Sequence, residues 1–327
     1  MDGRRHILFT ATFHSSFIDR DIDLLAKNFS VTLLVTKGWT AFFRFLRYAG
    51  TADLTFSWFA SVYSSCLVFL TRLLGVKSLI VLGGVDVAKE KNLNYGIWNS
   101  WWKSKIVRYG IVHANAVLAV DDFLRQEAMR LAEYNGRNIA VIPTGYDSEF
   151  WHPSGKKESL VLCVASCPDP VRIKIKGIDY LIAVARKLPT ARFKIIGIKS
   201  EVAETLSLPS NVESIPHATQ EQLREEYQHA KVYCQLSYRD GLPNALCEAM
   251  LCGCVPIGTT RGGIPRAIGQ TGFLVDYQDE DAAVHAIRQA LEAPPEQGME
   301  ARRRISTQFT LSQRESALKE KISELIS

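Results

Sequence analysis

No apolar stretch of this 327-residue chain reaches the roughly 20 residues that a membrane-spanning helix needs. The nearest candidate, residues 58–74, carries Ser61, Ser64 and Ser65 and ends beside Arg72, so a packed helix is expected there. Residues 7–11 are too short for the apolar centre of a signal peptide and read as a first strand. Cys252-Gly253-Cys254 has no His partner at zinc-site spacing. The seven cysteines (Cys66, Cys163, Cys167, Cys234, Cys247, Cys252 and Cys254) therefore read as reduced, buried thiols of a cytosolic protein. No G-x-G-x-x-G follows a strand-like run, which argues against a dinucleotide oxidoreductase. Neither sign of charge dominates: 39 Lys and Arg face 34 Asp and Glu, a net charge of +5 that does not indicate nucleic acid. With 47% hydrophobic and 22% charged residues, a disordered chain is excluded.

What is present is an alternation of apolar runs and amphipathic segments, which predicts parallel sheets covered on both faces. Residues 7–11, 31–35, 79–82, 116–120 and 139–142 read as strands in the first half. In the second half, 160–165, 193–196, 212–215, 232–236, 255–258 and 273–275 do so. Helices are expected at 17–28, 121–134, 177–187, 220–229, 243–251 and 279–291. A turn-rich segment from Pro143 to Lys157 separates the two runs. The fold class is thus α/β, with residues 1–145 and 146–327 as two Rossmann-like domains facing a cleft. A charged helix pair follows Pro294-Pro295, and its last helix is expected to cross back to the first domain. Ligands of such sheets bind at the carboxyl ends of strands.

The segment from Asp240 to Glu248 concentrates chemistry at one such end. Asp240 follows a strand, Pro243 suits the first position of a helix, and Glu248 lies within that helix. Helical side chains lean toward the N-terminus, so Glu248 reaches back toward the strand ends. The amides of Gly241, Leu242, Asn244 and Ala245 would face the same crevice, as a diphosphate requires. Two carboxylates flanking an anion site make sense if each grips hydroxyls, one set on a sugar and one on a ribose.

Four motifs occur in order: Pro143-Thr144-Gly145-Tyr146-Asp147, Lys176-Gly177-Ile178-Asp179, the Asp240–Met250 segment, and Gly262-Gly263-Ile264-Pro265. Their order resembles the retaining GT-B glycosyltransferases of family four, from about residue 139 onward. The resemblance implies that Glu248 binds ribose, that Asp240, where the family more often has Glu, holds sugar hydroxyls, and that Lys176 neutralises the leaving diphosphate. The family's second cation usually follows the domain's first strand, where this chain has Ala165-Ser166-Cys167. Arg172 is the substitute, since an extended Arg172-Ile173-Lys174-Ile175-Lys176 would place its three cations on one side. His217, after a strand, is placed against the base. Fixed cations and a helix N-terminus can replace a metal in stabilising the departing diphosphate, so neither metal nor cofactor is expected. The implied activity is transfer of a sugar from a UDP- or GDP-sugar to a saccharide or lipid-linked acceptor, in the cytoplasm or at the inner face of a membrane. A GT-B sugar-nucleotide epimerase and a non-catalytic nucleotide-sugar binder are the alternatives.

The first domain carries weaker marks. Asp19-Arg20-Asp21-Ile22-Asp23 imitates a metal-binding D-x-D but opens an apolar-faced helix, where acids suit the dipole. Thr12-Phe13-His14-Ser15-Ser16 stands where the family has paired glycines, and makes His14 a candidate on the acceptor side. Gly83-Gly84-Val85-Asp86 follows a strand, and Asp86 is a second such candidate, with helix capping as its alternative. Two stretches, residues 39–48 and 98–109, mix Trp, Phe and Tyr with Lys and Arg. A lipid interface, core packing and a wall for a sugar acceptor all fit them.

Overall fold

The apolar run His6–Ala11 forms strand β1, buried over its last five residues as a strand covered on both faces should be. The computed structural model describes residues 4–35 and 40–327. The chain falls into two units, Met1–Thr144 with Ser312–Ser327, and Gly145–Leu311. In the first unit β1 is followed by α1 (Ser16–Ala26), β2 (Ser30–Val35), α2 (Thr40–Ala49), β3 (Leu54–Trp58), α3 (Val62–Leu74) and β4 (Lys77–Leu82). Three short 3-10 turns then lead to α4 (Trp101–His113), β5 (Ala116–Ala119), α5 (Asp122–Ala132) and β6 (Ile139–Val141). The strands are parallel in the order β2-β1-β3-β4-β5-β6, so the winding reverses between β1 and β3.

Strand β3 is absent from the sequence-based expectation. Its alternation of apolar residues with Thr55 and Ser57 suggests one wet face, yet all five residues are buried. The hydroxyls are satisfied internally: Ser57 and Thr10 hydrogen-bond at 2.8 Å, and Thr55 donates to the Lys77 carbonyl at 3.4 Å. The helix expected over 58–74 accordingly starts later, at Val62. Two of the serines that interrupt that run form its capping box, Ser61 and Ser64, and Gly75 closes it in the left-handed conformation (φ 73°).

The second unit comprises β7 (Glu158–Cys167), α6 (Pro170–Lys176), α7 (Ile178–Arg186), β8 (Arg192–Ile198), α8 (Ser200–Ala203), β9 (Val212–Ile215), α9 (Gln220–His229) and β10 (Ala230–Gln235). It continues with α10 (Asn244–Leu251), β11 (Val255–Thr259), α11 (Ile264–Ile268), β12 (Phe273–Val275), α12 (Glu280–Glu292) and α13 (Pro295–Gln308). Its parallel order is β12-β11-β10-β7-β8-β9, with the reversal between β7 and β10. The core of this unit interleaves β7, β8 and β10 with α7 and α12.

The last helix, α14 (Leu311–Ile326), packs in the first unit. Buried Arg314 donates to both Asp21 oxygens, at 3.1 and 2.7 Å, and to the Ile142 carbonyl at 2.7 Å. The Trp58 indole donates to the same Asp21 carboxylate at 2.9 Å. The middle acid of the D-x-D-like run is therefore half of a buried ion pair. Among the described residues, no group of three His, Cys, Asp or Glu could hold a metal ion, and no helix is long and apolar enough to cross a membrane.

Candidate functional site

In a doubly wound sheet the loops at the carboxyl ends part where the winding reverses, and a crevice opens there. In the second unit the loops leaving β7 and β10 meet at that point. Lys176, at the end of α6, lies 2.6 Å from Asp240, in the loop after β10. Both side chains are mostly buried, at 17% and 16% exposure, so the pair is screened far less than a surface one.

A buried chain of hydrogen bonds fixes the carboxylate. The Tyr233 hydroxyl bonds the Val164 carbonyl of β7 at 3.2 Å and Gln235 Oε1 at 3.1 Å. Gln235 Nε2 donates to Ser237 Oγ at 2.8 Å and to Asp240 Oδ2 at 3.2 Å, and Ser237 donates to the same oxygen at 3.3 Å. The contacts from Lys176, Gln235 and Ser237 all end on Oδ2. Sequence reasoning missed Tyr233, Gln235 and Ser237. Their signal was a polar residue at every second position from a strand that is buried from Val232 onward.

Two glycines let the loops approach. Gly177 sits at φ 66°, and a Cβ there would overlap the Leu236 carbonyl. Gly262 sits at φ 58°, with the Asp240 carbonyl where its Cβ would be. The Tyr238 amide donates to the Ile175 carbonyl at 2.9 Å, and the Gly263 amide to the Asp240 carbonyl at 3.2 Å. The Lys176-Gly177, Asp240-Gly241 and Gly262-Gly263 motifs thus form one interlocked set of loops.

Helix α10 begins at Asn244, so Pro243 is its cap (φ −75°, ψ 114°) rather than its first helical residue. Gly241, Leu242 and Pro243 are buried in the approach to it. The Tyr146 hydroxyl donates to the Asn244 side chain at 2.9 Å, which ties the Pro143–Asp147 motif to the helix start. Glu248, one turn in, is buried at 6% exposure. Burial raises the Tyr227, Tyr233 and Cys252 ionisations, and the Glu248 charge raises them further.

Arg172 needs a correction. The segment expected to be extended is helix α6, because Asp169 caps it by accepting from the Arg172 amide at 2.9 Å and Pro170 suits its start. Arg172 and Lys176 still share a helix face, being four residues apart, but Lys174 does not join them. His217 stands exposed in the loop after β9.

In the first unit His14 is exposed in the loop after β1, with Nδ1 3.5 Å from Asp19. Asp86 is 2% exposed, and its carboxylate accepts from the amides of Ala60, Gly83 and Gly84 at 3.0, 3.1 and 2.6 Å. Burial nonetheless raises its pKa. This geometry makes Asp86 the organiser of the loops after β3 and β4, in place of the acceptor contact expected from sequence. The aromatic-basic stretches divide as well. Trp98 is buried and donates to the Asp86 carbonyl at 2.8 Å, whereas Trp101 and Trp102 are exposed. Trp39 lies outside the described residues.

Two parallel α/β units, each with its reversal point between two loops, define a protein of the GT-B class. Residues 153–309, which lie within the second unit, match the family described as Glycosyl transferases group 1. The chain is 27% identical over 227 residues to alpha-maltose-1-phosphate synthase of Mycobacterium tuberculosis, across 62% of this chain and 58% of that protein. It is 22% identical over 280 residues to N-acetyl-alpha-D-glucosaminyl L-malate synthase of Bacillus anthracis, across 77% and 69%. The first of these matches spans little more than half of the relative's length. Among solved structures, sucrose-phosphate synthase from Thermosynechococcus elongatus superposes with a TM-score of 0.80 at 16% identity, across 98% of this chain and 99% of that one. Anabaena Alr3699/HepE in complex with UDP-glucose gives 0.74 at 13% identity, across 98% and 99%. These likenesses establish the fold.

Proposed function

We propose that the chain is a retaining, metal-independent glycosyltransferase that moves a sugar from a UDP- or GDP-sugar to a saccharide or lipid-linked acceptor. The observation that carries this reading is the Lys176–Asp240 pair at the reversal point, beside the start of α10. Lys176 has three donor hydrogens, so it can hold Asp240 and still meet a diphosphate oxygen. Asp240 would offer its other oxygen, Oδ1, to sugar hydroxyls. Glu248 would take the ribose hydroxyls, His217 the base, and Arg172 would add a second cation. The amides of Gly241, Leu242, Asn244 and Ala245 would meet the phosphates.

In the reaction the bond from the anomeric carbon to the diphosphate oxygen breaks and the acceptor oxygen bonds that carbon on the same face. The acceptor hydroxyl's proton leaves with the diphosphate. Charge grows on that diphosphate, which is where Lys176, Arg172 and the helix start would act. His14 is the acceptor-side candidate of the first unit. We place the reaction in the cytoplasm, at the inner face of a membrane if the acceptor is lipid-linked.

A thermal-shift screen with UDP, GDP, ADP and their sugars tests the donor, because a true ligand raises apparent stability by mass action. Product stereochemistry by NMR then tests retention. An epimerised sugar formed from the nucleotide-sugar alone, without acceptor, would replace the transferase reading with the epimerase one.

A further inference from the structure

Helices α2, α3 and α4 form a continuous layer on one side of the first sheet, with α3 in the middle. The Gly110 backbone of α4 packs against Ser65 of α3, and Phe69 meets the Tyr109 ring at 6.1 Å. The Arg72 side chain donates to the His113 carbonyl at 3.3 Å. The outward side of this layer is unlike the rest of the molecule. Of the eleven large apolar side chains that stand exposed among the described residues, six belong to these three helices: Phe43, Phe69, Leu73, Leu74, Trp101 and Trp102. Trp101 reaches 73% exposure, and Leu73 and Phe43 each reach 70%.

The charge of this layer has one sign. None of the three helices contains Asp or Glu, while Arg44, Arg47, Arg72, Lys103 and Lys105 are all exposed. Two of the cations sit over the exposed indoles, Lys105 Nζ at 5.2 Å from the Trp101 ring and Lys103 Nζ at 5.5 Å from Trp102. Elsewhere the chain mixes its charges, with 34 acids against 39 bases in all, so an acid-free layer is a local feature. Apolar patches of this extent on a soluble surface mark interaction sites. Indoles flanked by ammonium groups suit the boundary between headgroups and acyl chains, where the ring is buried and the cation meets lipid phosphate.

We propose that the α2–α3–α4 face docks on an anionic lipid surface, with Trp101, Trp102, Phe69 and Leu73 entering the headgroup layer and the five cations contacting lipid phosphates. Docking is peripheral and is a property of the first unit. It therefore stands apart from donor binding, which is assigned to the second.

Co-sedimentation of the full chain with vesicles tests this. Vesicles of phosphatidylcholine with about one third phosphatidylglycerol should bind the protein at least about tenfold better than phosphatidylcholine alone, and added salt should weaken the binding. Lys103→Gln with Lys105→Gln should lower partitioning by about tenfold or more, on the usual increment per basic residue at such a surface. Trp101→Ala should lower it even at low salt, and unchanged thermal unfolding would show that both variants fold. Failure to bind the anionic vesicles, or equal binding by wild type and both variants, overturns the proposal. So does a concentration-dependent dimer broken by Trp101→Ala in the absence of lipid, which would give the face to a second copy of the chain. None of these readouts depends on sugar transfer, so the docking proposal and the transferase reading can fail separately.

Discussion

Lys176 Nζ lies 2.6 Å from Asp240 Oδ2, across the point where the winding of the second sheet reverses. The two residues are far apart in sequence, and each is held by its own loop, Lys176 by the end of α6 and Asp240 by Gln235 and Ser237. If the pair serves the donor, Lys176→Ala should lower turnover by about 10²–10³-fold with a smaller loss of nucleotide affinity, as for removal of a group that meets developing charge. Glu248→Ala should instead raise the nucleotide Kd by about tenfold or more, the usual cost of a lost charged hydrogen bond. Residues in direct contact do not contribute independently, so the losses in Lys176→Ala and Asp240→Ala should fall short of additivity in the double variant. Steady-state kinetics together with calorimetric titration of UDP and GDP would measure all of these. Unchanged kinetics in both Lys176→Ala and Glu248→Ala would remove the site assignment.

Gly177→Ala should damage the same loops without touching a functional group. The new side chain would need φ near 66° and would meet the Leu236 carbonyl, which leads into the Ser237–Asp240 loop. A left-handed non-glycine residue with a backbone overlap is expected to cost at least about 2 kcal/mol. Urea unfolding gives the stability, and the same variant should bind nucleotide more weakly although Lys176 and Asp240 are intact. Wild-type stability in Gly177→Ala would mean that the loops move apart freely.

Much of this was legible in the sequence because it follows from short-range pattern. The parallel α/β class came from the alternation of apolar runs and amphipathic segments, and the second unit's strands 212–215 and 273–275 fall where that pattern put them. The parts that were not legible depend on partners remote in the chain. Strand β3 looks half-polar until Thr10 is seen to satisfy Ser57. Residues 172–176 look extended by their alternating cations, and the capping by Asp169 that makes them helical is a local signal left unread. Asp86 resembled a cleft residue because its position after a strand is visible, whereas the three amides that surround it belong to two loops. The mutual engagement of Lys176 and Asp240 could not be read from either motif alone.

Asp86 offers a test with a definite sign. Burial holds its pKa above the ordinary 3.8, so the folded state binds the proton more readily than the unfolded chain does. Its contribution to stability therefore grows as pH falls through the folded value, and is complete below the unfolded one. Asp86→Asn removes this titration and offers fewer acceptor sites to the three amides, at a cost of about 1–3 kcal/mol at neutral pH. The stability gap between wild type and variant should widen as the pH is lowered, measured by urea unfolding at each pH. A gap that narrows on acidification would show that the amides outweigh burial.

The cysteines give a chemical readout of the core. Burial pushes the Cys163 and Cys247 thiols up to about 12 and Cys167 to about 11, so almost no thiolate forms at mildly alkaline pH. Iodoacetamide labelling of the native chain followed by mass spectrometry should modify Cys66, the one cysteine that is not fully buried, ahead of the other six. Fast labelling of Cys247, which neighbours Glu248, would mean that α10 opens readily.

The return of the chain to its first unit rests on Arg314, whose guanidinium is 1% exposed and bonds both oxygens of an Asp21 carboxylate that is 4% exposed. The same carboxylate takes the Trp58 indole, and the same guanidinium takes the Ile142 and Pro143 carbonyls, so neither charge is short of partners. A satisfied buried pair contributes little beyond an apolar one, but a half-broken pair leaves a charge that water cannot reach. Arg314→Ala should therefore cost about 3–5 kcal/mol, and Asp21→Ala a comparable amount, while the double replacement should recover part of the loss. The damage should be local first. Hydrogen exchange should rise in α14 and in the turn after β6, where the Ile142 and Pro143 carbonyls lose their donor. If exchange in α14 matches wild type in Arg314→Ala, the helix is held by the packing of Leu318 and Ile322 alone, and the ion pair is dispensable.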